Sequence, residues 1–309
     1  MREVDSQTLR SRLFIILQYL LPQHFLSRLV LRATRVRTPG VKNTLIARFV
    51  SSFRPEMSDA RQPDALSYAS FNEFFTRALR ADARPVDSSS DIIVSPVDGT
   101  VSQIGRLDGS RLLQAKGHDY TLESLLAPPE GSAAATSAWP GRFRDGGFAT
   151  LYLAPYNYHR IHMPLAGTLR AAWFVPGRLF SVNAATAASV PELFARNERV
   201  VCIFENGSQA FALVLVGALF VGSIATLWHG DVTPRSPRRA VELPLDGSRA
   251  PLHLAKGAEM GRFNMGSTVI LLTPAGLAEW LPAFGAGTRI RMGEALAQIA
   301  PASRTRTPP

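Results

Sequence analysis

Hydrophobic residues near the start of the chain recur at the three- and four-residue spacing of an amphipathic helix. They are Leu9, Leu13, Ile16, Leu17 and Leu20. Asp5 or Ser6 is placed to cap this helix and Pro22 to end it, and residues 25–30 continue the pattern with arginines on the other side. Neither stretch is long enough to span a bilayer. We expect a pair of interfacial helices, with ordinary helices packed on the core as the alternative.

A second helical pattern begins at Ser70. Ser70 and Glu73 have the spacing of a capping box, in which each side chain bonds the other residue's amide. The apolar positions that follow are Phe71, Phe74, Phe75, Ala78 and Leu79. Arg84-Pro85 closes this helical region, which we interpret as a structural bridge into the main domain.

From about residue 92 the pattern changes to short apolar strands separated by turn residues. Residues 128–147, rich in Ala, Ser, Pro and Gly, are predicted to form a surface loop. Asn206-Gly207 predicts a tight hairpin. Residues 210–228 contain no charge, but the glycines within them and the hairpin before them favour two buried strands over a membrane helix. The pattern predicts a strand-rich α+β fold.

Composition indicates what kind of partner the chain binds. The chain has 309 residues and a formal net charge of +10. Residues 1–60 contain ten Lys or Arg and four acidic residues, so +6 of that charge lies in the amphipathic segment. A basic amphipathic start indicates an anionic membrane surface, and no nucleic-acid motif is present. The single cysteine, Cys202, excludes a disulfide within the chain.

Three segments combine reactive polar side chains with turn residues. They are Ser95–Thr100, Tyr156–Pro164 and Gly261–Thr268. Each alone is a weak signal, because Asp-Gly is usually a turn and Gly-Ser-Thr is usually a loop. The histidine pair in the second segment has no cysteine or carboxylate at ligand spacing, which argues against a metal such as zinc. The nucleophile-elbow spacing Gly-x-Ser-x-Gly is absent, so the residues alone do not define a triad.

Taken in order, these segments resemble the signature of the phosphatidylserine decarboxylase family, whose self-cleavage motif is Leu-Gly-Ser-Thr. Here the motif is Met265-Gly266-Ser267-Thr268, a volume-conserving change outside the reacting pair. The resemblance covers most of the chain from residue 62 onward. Its further segments are Ser70–Arg77 with Arg84-Pro85, Gln114–Tyr120, Pro176–Asn183, Val221–Ile224, Lys256–Phe263 and Arg291–Glu294.

The resemblance implies a proenzyme that cuts itself between Gly266 and Ser267. Ser267 would attack the Gly266 carbonyl, with His162 as the base and Asp98 holding its imidazole. Gly266 suits this step because a residue without a Cβ can adopt a strained turn. The implied products are a β chain ending at Gly266 and an α chain whose residue 267 is a pyruvoyl group. That group would replace pyridoxal phosphate, with no metal, and form a Schiff base with phosphatidylserine, giving phosphatidylethanolamine and CO₂.

The two histidines of the second segment are three residues apart, which places them on opposite faces of a strand but on one face of a helix. The resemblance gives His159 a part in substrate handling or protonation. If 159–162 is a strand, only one of His159 and His162 faces Ser267, and we assign that position to His162. His118 is an outside candidate that we interpret as a structural residue.

These patterns divide the chain into an N-terminal membrane-associating region (1–62), a catalytic domain (63–300) and a disordered tail (301–309). The resemblance implies a β-rich, barrel- or sandwich-like catalytic domain, a homodimer of αβ units, and peripheral attachment to the cytoplasmic face of the cell membrane. Two alternatives stay open: a serine hydrolase using Asp98, His162 and Ser267 on an external substrate, and a membrane-binding module without catalysis.

Overall fold

The structure, a computed structural model, describes residues 14–115, 117–220, 223–234, 238–245 and 251–300. The predicted cap at Asp5 or Ser6 and the predicted tail 301–309 lie outside these residues. The helices are α1 Phe14–Leu20, α2 Gln23–Thr34, α3 Pro39–Phe53, α4 Phe71–Phe75, α5 Leu122–Leu126, α6 Ala133–Thr136, α7 Trp139–Phe143, α8 Ala184–Ala187 and α9 Leu193–Arg196, with a 3-10 turn at Ala65–Ser67.

After α4, strands hold far more residues than helices do, as predicted. They are β1 Ile92–Val94, β2 Gly99–Arg106, β3 Arg111–Ala115, β4 His118–Thr121, β5 Gly147–Tyr152, β6 Arg160–His162, β7 Gly167–Val175, β8 Arg199–Asn206, β9 Gln209–Val216, β10 Ile224–Thr226, β11 Gly230–Asp231, β12 Val241–Glu242, β13 His253–Leu254, β14 Glu259–Phe263, β15 Thr268–Thr273, β16 Ala278–Trp280, β17 Arg289–Ile290 and β18 Ala295–Ile299. The α+β class is therefore confirmed.

The largest sheet has nine antiparallel strands in the order β12-β7-β8-β9-β15-β5-β2-β17, with β13 also pairing β7. Strands β9 and β15 are almost wholly apolar and buried, which is typical of strands with neighbours on both sides and cover on both faces. A four-stranded sheet has the order β11-β10-β14-β6. Consecutive strands β14 and β15 belong to different sheets, so residues 264–267 cross from one sheet to the other.

Two local predictions about the strands are confirmed. Asn206-Gly207 begins the turn of the β8–β9 hairpin, with Gly207 at φ +59° and Asn206 paired with Gln209. The uncharged stretch 210–228 holds most of β9 and all of β10, as expected for two strands. Within the described residues no single helix has the length and hydrophobicity to cross a membrane. Taken together, α1 and α2 have the required length and hydrophobicity, but they are bent by 91° relative to each other.

Helices α1 and α2 turn a largely polar side toward the rest of the protein. Gln18, Gln23 and Ser27 are buried, and their side-chain oxygens accept hydrogen bonds from the amides of Ser181 (2.6 Å), Leu179 (2.8 Å) and Phe220 (3.3 Å), respectively. The outer side is apolar: Leu20 is 77% exposed and Phe25 63%, and Ile16, Leu17 and Leu29 are each more than half exposed. This arrangement is the reverse of an ordinary core helix.

Two helical expectations need correction. The helix after Ser70 ends at Phe75, and Leu79 instead bridges to Ala60. Ser70 does cap it by accepting from the Glu73 amide, but the Glu73 carboxylate bonds Arg37. The predicted loop 128–147 contains α6 and α7. Ser132 caps α6, and α7 is anchored by burial of Trp139 and Phe143, which composition alone does not reveal.

Candidate active site

Gly266 and Ser267 lie in the loop between β14 and β15. The Ser267 carbonyl accepts a hydrogen bond from the Leu153 amide at 2.7 Å, which begins the pairing of β15 with β5. Ser267 is 1% exposed, and its Oγ has no hydrogen-bond partner among the described residues. Because an unsatisfied buried hydroxyl costs free energy, native proteins place few of them, and those few often have a chemical role.

The side chain nearest to a Cβ built on Gly266 is that of His159. Its ring stacks on Phe75 with centroids 4.0 Å apart and an interplanar angle of 17°. Its Nε2 bonds the Pro155 carbonyl at 3.2 Å. A carbonyl only accepts, so Nε2 carries the hydrogen, and Nδ1, which is buried without a partner, is the unprotonated nitrogen. Burial lowers the pKa of His159 to about 3, so the ring is neutral near pH 7.

Contact with His159 explains the glycine at position 266. Gly266 is not among the residues with positive φ, so the expected strained turn is not the reason for it. A Cβ built on Gly266 would instead lie 2.7 Å from Cε1 and 3.2 Å from Nδ1 of His159. Only glycine fits against this ring without displacing it. The unprotonated nitrogen of His159 therefore lies beside Gly266.

His162 is bonded at both ring nitrogens. Its Nδ1 is 2.7 Å from the Gly257 carbonyl and its Nε2 is 3.0 Å from the Tyr158 hydroxyl. Nδ1 must donate to the carbonyl, so Nε2 accepts from Tyr158. Burial is the largest influence on His162 and lowers its pKa, whereas the charge of Asp98 is among the smaller influences that raise it. His162 ends strand β6, and neither nitrogen bonds Ser267.

Asp98 is held by an arginine. Arg84 donates from Nε to both Asp98 oxygens, at 2.9 and 3.1 Å, and from Nη2 to Oδ2 at 2.6 Å. The Met292 amide donates to Oδ1 at 2.9 Å, and Arg84 also bonds Asp59 at 2.6 Å. The structure thus brings Gly266, Ser267 and His159 together, but it does not link Asp98 to His162 by a hydrogen bond. The Asp98–His162–Ser267 triad stays a prediction.

A cavity of about 290 Å³ opens beside the cleavage loop. Its lining includes Met265, Gly266 and Ser267 together with the aromatic residues Phe49, Phe53, Phe75 and Phe220. Residues 152, 153 and 155 also line it, as do residues 181–182 and 218–220, which border the α1–α2 contact. A mostly apolar cavity whose lining carries the hydroxyl groups of Ser267, Ser181 and Tyr152 suits a substrate that has a polar reacting group and an apolar body.

The approach to the cleavage loop is fixed by Asn264. Its amide donates to the Ser223 carbonyl at 2.8 Å, and its carbonyl accepts from Asn72 Nδ2 of α4 at 2.9 Å. Its side-chain nitrogen donates to Asp231 at 3.1 Å, and Asp231 is also paired with Arg35, which follows α2. The first helices are therefore connected through two side chains to a residue two positions before Gly266.

The sequence reasoning assigned no role to Arg84, Tyr158, Phe75 or Asn264. Arg84 and Tyr158 lie in segments that carry the resemblance, but the sequence does not show that they bond Asp98 and His162. Phe75 was placed on an apolar helix face, and nothing local indicates that it stacks on His159. His118 lies in the separate two-stranded β3–β4 sheet, paired with Ala115.

Comparison with known proteins adds to this geometry. Residues 71–298 match the family model described as phosphatidylserine decarboxylase, and residues 13–54 match a second model described as PSD. The chain is 52% identical over 289 residues to the phosphatidylserine decarboxylase proenzyme of Bordetella bronchiseptica, covering 93% of this chain and 95% of that protein. It is 50% identical over 291 residues to the proenzyme of the same description from Pseudomonas putida, covering 94% and 98%.

Proposed function

Because this chain belongs to the phosphatidylserine decarboxylase family, we propose that it is a carboxy-lyase proenzyme that cuts itself between Gly266 and Ser267 and converts phosphatidylserine to phosphatidylethanolamine and CO₂. The observation that carries the proposal is the buried Ser267 hydroxyl, which has no partner and lies on the cavity wall next to Gly266. The pyruvoyl group that the family implies would occupy position 267, where it takes up the electrons left when CO₂ departs.

Self-cleavage forms and breaks bonds at these two residues alone. Ser267 Oγ bonds to the Gly266 carbonyl carbon, the peptide C–N bond breaks, and the hydroxyl proton passes through a base to the nitrogen. The resulting ester then loses the Cα proton of residue 267, and Gly266 departs as a carboxylate. Water hydrolyses the remaining enamine, which releases ammonia and leaves the new carbonyl at position 267.

We assign the base of self-cleavage to His162, with Asp98 as its orienting residue. For this role Tyr158 must release Nε2 of His162, and Asp98 must exchange part of its Arg84 pairing for the imidazole. His159 is the proton-handling group of the decarboxylation, since its unprotonated Nδ1 already lies beside Gly266, the neighbour of residue 267. The same free nitrogen makes His159 the second candidate for the base.

Intact mass and product analysis test these assignments. Wild-type protein should yield a fragment ending at Gly266 and should release CO₂ from phosphatidylserine, and Ser267→Ala should stay whole and inactive. His162→Ala should also stay whole, whereas His159→Ala should be cut but decarboxylate poorly. The reverse pattern for the two histidines would exchange their roles. A wild-type chain that is never cut would contradict the whole proposal.

The exposed apolar side of α1 and α2 is the proposed membrane-docking surface. Ile16, Leu17, Leu20, Phe25 and Leu29 project from it, and the basic residues of 28–42 adjoin it. Phe53 and Phe220, which line the Ser267 cavity, are 43% and 44% exposed, so apolar surface continues to the cavity mouth. A lipid could then present its head group to Ser267 while its acyl chains stay in the bilayer.

Vesicle binding tests the docking surface. Leu17→Gln with Leu20→Gln should weaken binding to anionic vesicles, because each leucine contributes about 1.5–3 kcal/mol when fully buried. Leu113→Gln is the matched control, since Leu113 is 48% exposed on the β3–β4 hairpin. Equal binding of the double variant and the control would refute this surface.

We further propose attachment at the cytoplasmic face, a homodimer of αβ units, and the division into residues 1–62 and 63–300.

A further inference from the structure

A second cavity, of about 270 Å³, lies near the cleavage loop but does not include it. Its lining contains five arginines: Arg54, Arg77, Arg84, Arg289 and Arg291. We call it the arginine pocket. It and the Ser267 cavity share no lining residue, and residues 155–158 run between them, with Pro155 lining the Ser267 cavity and Tyr156 the arginine pocket.

Three of the five arginines have no ion-pair partner among the residues that the structure describes. Arg84 is neutralised by Asp98 and Asp59, and Arg291 lies 3.6 Å from Glu56. Arg54, Arg77 and Arg289 have no acidic partner within the described ranges. Counting Asp98, Asp59 and Glu56 against the five arginines leaves an excess of about two positive charges at the pocket, which attracts an anion.

Arg77 is the sharpest indication of a missing ligand. It is 3% exposed, and its guanidinium makes one hydrogen bond, from Nη2 to the Tyr156 carbonyl at 3.3 Å. Nε and Nη1 are buried without partners. An unpaired buried guanidinium is unfavourable, and in the part of the chain that the structure describes no carboxylate lies within ion-pair distance of Arg77. A bound anion would satisfy these donors.

We propose that the arginine pocket binds a phosphate-class anion, at a site separate from the Ser267 cavity. Arginine presents N–H groups in a planar fork that matches the oxygens of a phosphate better than a spherical anion such as chloride. The volume accepts a phosphate or a phosphodiester head group but excludes acyl chains. Arg54 directly follows Phe53, which lines the Ser267 cavity, so the pocket adjoins the proposed membrane-docking surface.

The anion has two sources, free phosphate and the head group of an anionic lipid, and the experiment separates them. Phosphate binding to the wild-type protein is measured as a saturable rise in melting temperature at constant ionic strength, with chloride as the reference anion. Vesicle binding is measured with phosphatidylcholine alone and with added phosphatidylglycerol.

The test variant is Arg54→Gln with Arg289→Gln, because both residues are exposed and their replacement leaves the core intact. The control is Arg106→Gln, an exposed arginine outside the pocket.

The double variant should bind phosphate about tenfold more weakly or worse, since charge-assisted bonds are lost, and the control should bind as wild type does. A matching loss on vesicles that contain phosphatidylglycerol, but not on phosphatidylcholine alone, identifies a lipid head group. A loss for phosphate only identifies the free anion. No saturable phosphate effect on the wild type, or equal losses in the double variant and in Arg106→Gln, would overturn the proposal. Arg77→Gln, if it folds, should abolish binding.

Discussion

The contact between His159 and position 266 makes a quantitative prediction. A methyl group at Gly266 would lie 2.7 Å from His159 Cε1, roughly 1 Å closer than a comfortable carbon–carbon contact. The ring has no room to retreat, because it is fully buried, stacked on Phe75 at 4.0 Å and bonded to Pro155. Overpacking of this kind costs about 1–3 kcal/mol. Gly266→Ala should therefore lower the free energy of unfolding by that amount.

The assay is equilibrium urea unfolding in a Ser267→Ala background, so that self-cleavage does not change the molecule during the measurement. Four proteins form a double-mutant cycle: the Ser267→Ala background, and that background with Gly266→Ala, with His159→Ala, and with both changes. Once the imidazole is removed, the added methyl group has space, so the cost of Gly266→Ala should nearly vanish. The coupling energy between the two sites should then approach the full cost of about 1–3 kcal/mol.

Gly40→Ala is the matched control. Gly40 lies in the first turn of α3 with no atom within 4 Å of a built Cβ, so alanine there should be neutral or stabilising by up to about 1 kcal/mol. If Gly266→Ala costs the same with and without His159, to within about 0.5 kcal/mol, the two side chains do not compete for space. The explanation offered for the glycine would then be refuted.

Three further predictions follow from the same site. Burial lowers the pKa of His159 to about 3 and lowers that of His162 below its ordinary value. The fraction of chain cut per hour on a denaturing gel should therefore not show its acid loss at the ordinary histidine midpoint, about pH 6.5. A fall there would mean that the base titrates normally. Arg84→Gln should reduce the free energy of unfolding by about 3–5 kcal/mol, seen as a lower melting temperature, because it leaves the buried Asp98 charge without its cation. Asn72→Ala should cost about 1–3 kcal/mol and slow cutting, because the Asn264 carbonyl loses its donor; unchanged rates would show that this bond does not position the loop.

Local patterns predicted local structure well in this chain. Asn206-Gly207 specified its hairpin because the turn depends on the conformations of those residues alone. The glycines and apolar composition of 210–228 were enough to favour strands. The helices at 133–143 were missed because they depend on burial of Trp139 and Phe143 against distant parts of the chain.

The contacts within the candidate site could not be predicted from the sequence. Resemblance predicted Asp98, His159, His162 and Ser267 as a set, but not which histidine lies beside residue 266. His159 directly precedes strand β6 and His162 ends it, and residues three apart along an extended chain point to opposite faces. The position of His159 also depends on Phe75 of α4, whose ring stacks on it. The polar inner side of α1 and α2 was likewise unpredictable, since amphipathicity does not say which side faces the protein.

Strand β15 begins at the residue after Ser267 and lies in the middle of the nine-stranded sheet, with six residue pairs to β5 and five to β9. The segment after the proposed cut also supplies β18, which pairs with β1, and β17, which pairs with β2. Its strands therefore lie between strands of the longer segment. If the chain is cut at Gly266–Ser267, we expect the cut to follow folding, so that a cut chain is evidence of a correctly assembled sheet. The connection that guided assembly is then gone, and we expect the mature protein, once unfolded, not to regain its structure.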